Sequence, residues 1–424
     1  MWKRVISLFL ILCLLTTLVG CGGWNPIIPP NPNPNEPLEP IIPGTTKVLE
    51  DLTIRELLSV TEDQDTTAIL FENPTLQLEE LAVGDIIVMG VTEHTPEGLL
   101  RKVKSITKGG KDGSIIVVET EFATLEEAIE QGEFCFDEAL KAEDAEEPVC
   151  YIEGIKFIRD KSIIKDSKTE LLEFTYDINV IIYDGDNNPN TEIDNITLTG
   201  KISFDYHLIF SGKVGVKGCP LHCHSYLKEL TFKNRVEIEK NLGVTVGGSV
   251  ELFSYEKKLW TQDLGLKTFF IGVVPVVLHP TITIVANVEG EIFAEVTAEV
   301  TDKDTYTAGI KLEDGDWDPI SSHVHDFYPP SLTLSAGGDV TFGVGPKLKC
   351  TIYGVLGPYC ETTLYGKAIA DVFDNPWWKL YAGIIAKTGI KIEIFSKTYG
   401  SAEKIVLDLK KIIAKADGPF GNGQ

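Results

Sequence analysis

Ile196-Thr197-Leu198-Thr199-Gly200-Lys201-Ile202-Ser203-Phe204 decides the fold class. Apolar or small residues stand at 196, 198, 200, 202 and 204, with polar ones between them. Successive side chains of a strand point to opposite faces, so this spacing gives one dry face and one wet face. On a helix the same residues would scatter around the axis. The pattern recurs in Ile292, Ala294, Val296, Ala298 and Val300, with Glu295, Thr297 and Glu299 on the other face. Tyr226 to Ile238 and Ile390 to Ile394 repeat it. One wet face per strand predicts antiparallel pairing. The reading is a mainly β chain whose residues 151–400 form one antiparallel sandwich or open barrel. A weak internal repeat agrees: Pro280 to Ala286 (PTITIVA) aligns with Pro330 to Ala336 (PSLTLSA). Each places Pro at a predicted strand start, where its missing N–H does least harm.

Residues 46–150 read as a small β-rich α+β module. Asp85 to Val88, Leu99 to Ile106 and Ser114 to Thr120 are predicted strands, and His94-Thr95-Pro96-Glu97-Gly98 is a turn. Thr124 followed by Glu127 is a capping box, which predicts a helix to Gln131 ending at Gly132. Phe134 to Glu147 reads as a second, acidic helix. In the tail, 401–424, Ile405, Val406, Leu409, Ile412 and Ile413 follow i, i+1, i+4, i+7, i+8, which predicts a C-terminal helix packed on the sheet.

Forty-three per cent hydrophobic and 24% charged residues suit a folded chain. The formal charge is −25, which argues against nucleic acid as a partner. Residues 22–45 are dense in Pro and Asn, which forbids helix and reads as a semi-extended tether. Upstream, Lys3 and Arg4 precede an apolar run from Val5 to about Val19, the form of an export signal. The run is shorter than the ~20 residues of a comfortable span.

The ending Leu18-Val19-Gly20-Cys21 resembles the lipobox of bacterial lipoproteins. That resemblance implies cleavage before Cys21, a diacylglycerol on its thiol and anchorage in the bacterial cell envelope. Residues 1–20 are then the signal peptide and 21–45 the tether. Gly22 rather than Asp after the Cys implies the outer membrane where there are two membranes, and otherwise the outer face of the cell membrane. Losing Lys3 and Arg4 takes the charge from −25 to −27. The link to the bilayer is therefore the lipid, not a basic patch. The body itself resembles no family.

Six further cysteines survive processing, in the local pairs Cys135/Cys150, Cys219/Cys223 and Cys350/Cys360. In an exported chain these are disulfide candidates, although spacing alone does not fix the connectivity. Cys350 and Cys360 flank a Gly354–Pro358 turn signal, which suggests a cross-hairpin bond. Cys219-Pro-Leu-His222-Cys223-His224 gathers soft and borderline ligands and, with His323-Val-His325, is a weak zinc or copper candidate. A disulfide-closed loop with exposed histidines is the simpler reading. Asp184-Gly-Asp186-Asn-Asn188 and Asp314-Gly-Asp316-Trp-Asp318 resemble the start of a calcium loop. Pro189 and Pro319 replace its position-six Gly, so acidic turns are preferred, and no cofactor is expected. Trp377, Trp378 and Tyr381, helped by Trp260 and Trp317, could stack a sugar, but core or rim roles are simpler. The chain contains no H-E-x-x-H, G-x-S-x-G or Walker loop. The reading leans against an enzyme and favours a lipid-anchored, non-catalytic binding or structural module. A carrier holding a lipid or other apolar ligand is the alternative, and a secreted metal-dependent hydrolase comes behind it.

Overall fold

The structure is a computed structural model describing residues 39–418, except 64–65, 111–112, 159–173, 186–187, 189–194, 220–221, 247–249, 293–295, 314–315, 328–330, 335–337 and 395–396. Cys21, the export signal and nearly all of the tether lie outside the described residues.

A small sheet contains β1 (Thr46–Val48), β2 (Leu57–Asp63), β3 (Thr66–Phe71), β4 (Ile86–Met89), β5 (Leu99–Gly109) and β6 (Ile115–Phe122). Its order is β1-β4-β5-β6-β3-β2, antiparallel except for the β1–β4 pair. Single-turn helices α1 (Asp51–Ile54) and α2 (Leu76–Glu79) accompany it. Thr75 caps α2, its Oγ1 accepting the Leu78 amide at 3.3 Å. β4 is buried on both faces. Ile87 and Met89 join the sheet's own core, while Ile86 and Val88 join the core of the large unit. A strand sandwiched in this way reads as a continuous apolar run rather than an alternating one.

Two larger sheets stack face to face, both antiparallel. One contains β7 (Gly132–Leu140), β9 (Ile155–Ile158), β10 (Phe174–Asp184), β11 (Asn195–Cys219), β12 (His222–Val246), β16 (Val296–Glu313), β17 (Asp316–Phe327) and β18 (Ser331–Leu334). The other contains β8 (Val149–Cys150), β13 (Val250–Asp263), β14 (Lys267–Ile271), β15 (Val274–Ile292), β19 (Gly338–Ile352), β20 (Leu356–Ala370), β21 (Trp378–Ile394) and β22 (Lys397–Lys415). β11 and β12 are 25 residues each, so the body is a rod about 80 Å long.

The alternation of 196–204 is what this architecture uses. Ile196, Leu198, Ile202 and Phe204 are buried between the sheets. Gly200, at φ +130, stands on the same face; a Cβ there would lie 2.0 Å from the Asn241 carbonyl oxygen. From the facing sheet come Ile282, Ile284, Ala286, Leu348, Leu364 and Ile384, all in the same core. Side chains of 291–300 lie outside the described residues, although β16 shows the predicted strand from Val296.

Three predicted helices are corrected. The C-terminal stripe is the strand β22, paired antiparallel with β21. Three register shifts along that pair absorb a spacing that reads as helical, and Ile405 and Ile412 are left exposed. β-branched Ile405, Val406, Ile412 and Ile413 favour the strand. Phe134 to Leu140 is not a helix but part of β7, which lies against β11. Phe134 and Phe136 are buried and stack on Phe269 at 5.6 and 5.9 Å. The capped helix α3 (Leu125–Ala128) exists, and the Thr124 amide donates to Glu127 Oε2 at 3.0 Å. It stops at extended Ile129, because Glu130 and Gln131 both donate backbone bonds to Ile41.

Candidate functional site: a carboxylate–imidazole clamp

Along β15, β13 pairs as far as Asp263 opposite Thr281, and β14 resumes at Lys267 opposite Leu278. The gap faces His279 and Pro280. Pro280 has no N–H to offer a neighbouring strand, so the ladder breaks there. Contrary to the expectation that Pro280 begins a strand, it sits inside one. The break lets the His279 ring stand in a notch, with 19% of its side chain exposed.

The β4–β5 loop of the small sheet enters this notch. Gly98 has φ +70, and a Cβ there would meet Val277 at 2.7 Å and Tyr353 at 3.0 Å. Gly354 has φ +71, and a Cβ there would strike the Glu97 carboxylate. Both positions need a residue without a side chain. Tyr353, the one described non-Gly residue with positive φ, donates its backbone N–H to Val277 O at 3.0 Å and its hydroxyl to Pro275 O.

The result is a clamp. The imidazolium donates Nε2–H to Asp263 Oδ2 at 2.6 Å and Nδ1–H to Glu97 Oε1. Asp263 Oδ1 accepts the Gly265 amide at 2.8 Å. Lys267 is nearby and bonds Asp144 at 2.6 Å. The hydrogen bond to Glu97 holds the His279 proton on above the usual imidazole range; partial burial opposes this, and Asp263 adds to it. While the ring is protonated, both nitrogens donate to carboxylates and it has no free lone pair with which to take a proton or bind a metal. The arrangement fastens one module to another.

The residues singled out from sequence are dispersed. His222 and His224 start β12, on a hairpin that runs beyond the last β7 and β16 partners, Val214 and Glu229. His323 and His325 pair with Tyr306 and Asp304, which lie beside Val236 and Ile238 of β12. From 224 to 236 along one strand is about 40 Å, so the two H-x-H pairs do not meet. The side chains of Cys219, His222, Cys223, His224 and His325 lie outside the described residues. Among the described residues, no group of three or more His, Cys, Asp or Glu is placed to hold a metal.

Two of the three disulfide expectations are corrected; the third, Cys219 with Cys223, lies on side chains outside the described residues. Cys360 pairs with Leu348, so Cys350 is two residues out of register on the same buried face. Such diagonal neighbours are about 7–8 Å apart, beyond disulfide reach. Both thiols are free, and burial pushes each up to about 12. Cys135 and Cys150 are also free; they sit on β7 and β8, in different sheets. Peptide-mapped alkylation is therefore expected to label Cys135 and Cys150 in the native protein, and Cys350 and Cys360 only after unfolding. A 350–360 crosslinked peptide would contradict this register.

Asp184 Oδ1 accepts the Asn188 amide at 3.1 Å, an acidic turn closing on itself. Asp316 and Asp318 are exposed, opposite Glu313 and Lys311, while Asp186 and Asp314 lie outside the described residues. Trp260 is wholly buried rather than available to a sugar. Trp378 packs on the core, and Lys410 Nζ sits 4.2 Å from the Tyr381 ring centroid.

Sequence reasoning saw the 94–98 turn but missed the clamp, because Glu97 and His279 are 182 residues apart. The available signal was Pro280 interrupting an otherwise continuous strand. No family model, curated protein or solved structure matches the chain.

Proposed function

We propose that this chain is a bacterial lipoprotein, held in the cell envelope through Cys21, whose rigid β rod serves as a non-catalytic binding or structural module. The observation that carries the structural half is the filled space between the sheets. Tyr176 and Trp260 meet across it with ring centroids 4.3 Å apart. The void bounded by Leu198, Lys240, Leu242, Phe342 and Leu364 is about 10 Å³, hardly room for one water. A carrier of lipid or another apolar ligand needs an enclosed hollow of several hundred Å³; the hollow of about 340 Å³ beside Cys150–Ile155 is an open surface depression, so the packing among the described residues favours display over transport. Leu18-Val19-Gly20-Cys21 behind a basic, apolar leader supports the anchor.

The anchor is tested by intact mass. Protein isolated from membranes of a bacterial host should begin at Cys21 and carry a diacylglyceryl adduct. Cys21→Ser should carry none and should remain unprocessed. A parent protein cut at another residue, or bearing no lipid mass, would sink the proposal.

A further inference from the structure

β22 is an edge of its sheet: among the described residues its one ladder is with β21. The other large sheet does not close over it. β16 lies under β21 and β17 under β22, so the stack ends below this edge rather than beyond it. β17 also carries Pro319, which has no N–H to offer a further strand. Between its bulges β22 runs regularly from Leu407 to Ile412, against Ala386 to Tyr381. Ala382, Ile384 and Ala386 are buried, so their partners Lys411, Leu409 and Leu407 stand on the inner face. Asp408, Lys410 and Ile412 stand on the outer face, and Ile405, opposite Lys387 beyond the next bulge, shares it. Three aliphatic side chains of this edge are open to water: Ile405 55%, Leu409 43% and Ile412 47% exposed.

We infer that β22 is a self-association edge, pairing antiparallel with β22 of a second copy so that Leu409 faces Leu409 on a two-fold axis. The occupant is identified by the register. Opposed residues of an antiparallel pair share a face, so the axis must stand level with one residue rather than between two. With Leu409 there, outer Asp408 meets Lys410 of the second copy, and inner Leu407 meets the aliphatic stem of its Lys411; symmetry makes each contact twice. Moving the axis one residue either way sets Asp408 against Asp408 or Lys410 against Lys410, and both are repulsive. Lysines on an edge usually keep other strands away. Here each lysine of the regular run has an acid or an aliphatic side chain opposite, and Lys410 is already held 4.2 Å from the Tyr381 ring centroid. Ile412 and Ile405 of the second copy fall at neighbouring outer positions, so the pair shields all three exposed aliphatics. The shared ladder adds backbone hydrogen bonds that neither edge makes alone. β22 runs from the level of Leu356, near the clamp, to that of Lys379 at the far end of the rod. The pair therefore overlaps two rods in their far halves and leaves their clamps at opposite ends. The inference does not rest on the lipid anchor.

The full chain carrying Leu409→Cys is purified in detergent and oxidised with copper phenanthroline. Peptide mapping should find a 409–409 disulfide, since opposed residues of an antiparallel pair lie within bonding reach. Native Cys150 is the internal control: it is exposed on β8, at the opposite edge of the same sheet, and should form no 150–150 bond. Sedimentation of proteins that keep Leu409 gives the affinity. Asp408→Lys should weaken dimerisation by about tenfold, because a repulsion replaces an attraction at two symmetric places. Lys410→Asp should do the same. The exchange D408K/K410D should restore the parent's affinity, which a variant damaged in folding would not do. A 409–409 bond no more frequent than a 150–150 bond would overturn the proposal. So would dimerisation that Asp408→Lys leaves unmoved, or a parent that sediments as a monomer at about 0.1 mM.

Discussion

Trp260→Ala is expected to cost about 4 kcal/mol of folding stability, the range for removing a fully buried large aromatic. Trp260 has no exposed surface and joins the two large sheets. Its ring lies 4.3 Å from that of Tyr176 on the opposite sheet, which in turn stacks on Phe157 at 4.9 Å and Phe204 at 5.6 Å. The Tyr176 hydroxyl donates to Gln262, and Gln262 Nε2 donates to Glu146 O at 2.7 Å. Although β13 and β10 lie next to the edges of their sheets, the Trp260 ring has no exposed surface, so the alanine variant leaves an enclosed cavity in the inter-sheet contact. A loss of this size is a large share of the 5–15 kcal/mol usual for a domain. The indole N–H meets no acceptor among the described residues, so Trp260→Phe should cost clearly less. Denaturant midpoints of the three proteins, with unchanged slopes, would check this. An alanine variant within 1 kcal/mol of the parent would show that the sheets are not joined through this ring.

The sheets were legible in the sequence because burying one face forces a period of two, and 196–204 has no other use for that pattern. The division into two stacked sheets was not legible. It depends on which distant strands pair, as when β15 pairs with β19 at Ile282 and Leu348, and no local signal encodes that. The tail misled for a physical reason. Three bulges let β22 shift register until a helix-like stripe fits beside β21. Phe134 and Phe136 alternate correctly for a strand, yet the acidic residues after Leu140 gave the segment a helical look. The clamp was the least legible feature: Glu97, Asp263 and His279 become neighbours only once the small sheet docks.

His279→Gln is expected to weaken the join between the small sheet and the rod by about 2 kcal/mol near pH 6, and by progressively less at higher pH. The first figure comes from breaking a partly buried ion pair, reduced because Glu97 and Asp263 are 39% and 30% exposed and therefore screened. Gln keeps some hydrogen bonding but cannot carry the charge that holds two carboxylates together. The pH dependence follows from the direction of the shift. The folded protein holds the His279 proton more tightly than the unfolded chain does, chiefly through Glu97. Its contribution is then complete below the unfolded imidazole value of about 6.5 and is lost as pH rises through the raised folded value. Above that the ring is neutral and can donate to only one carboxylate, so parent and variant should converge. The measurement is amide exchange in the 94–98 loop and around 353–355, together with unfolding midpoints, from about pH 6 to about pH 9. Exchange in the parent should accelerate across that range, while in His279→Gln it should already be fast at pH 6 once the intrinsic base-catalysed rise is subtracted. A gap between the two proteins that stays constant with pH would mean that the proton on His279 does no work in holding the modules together.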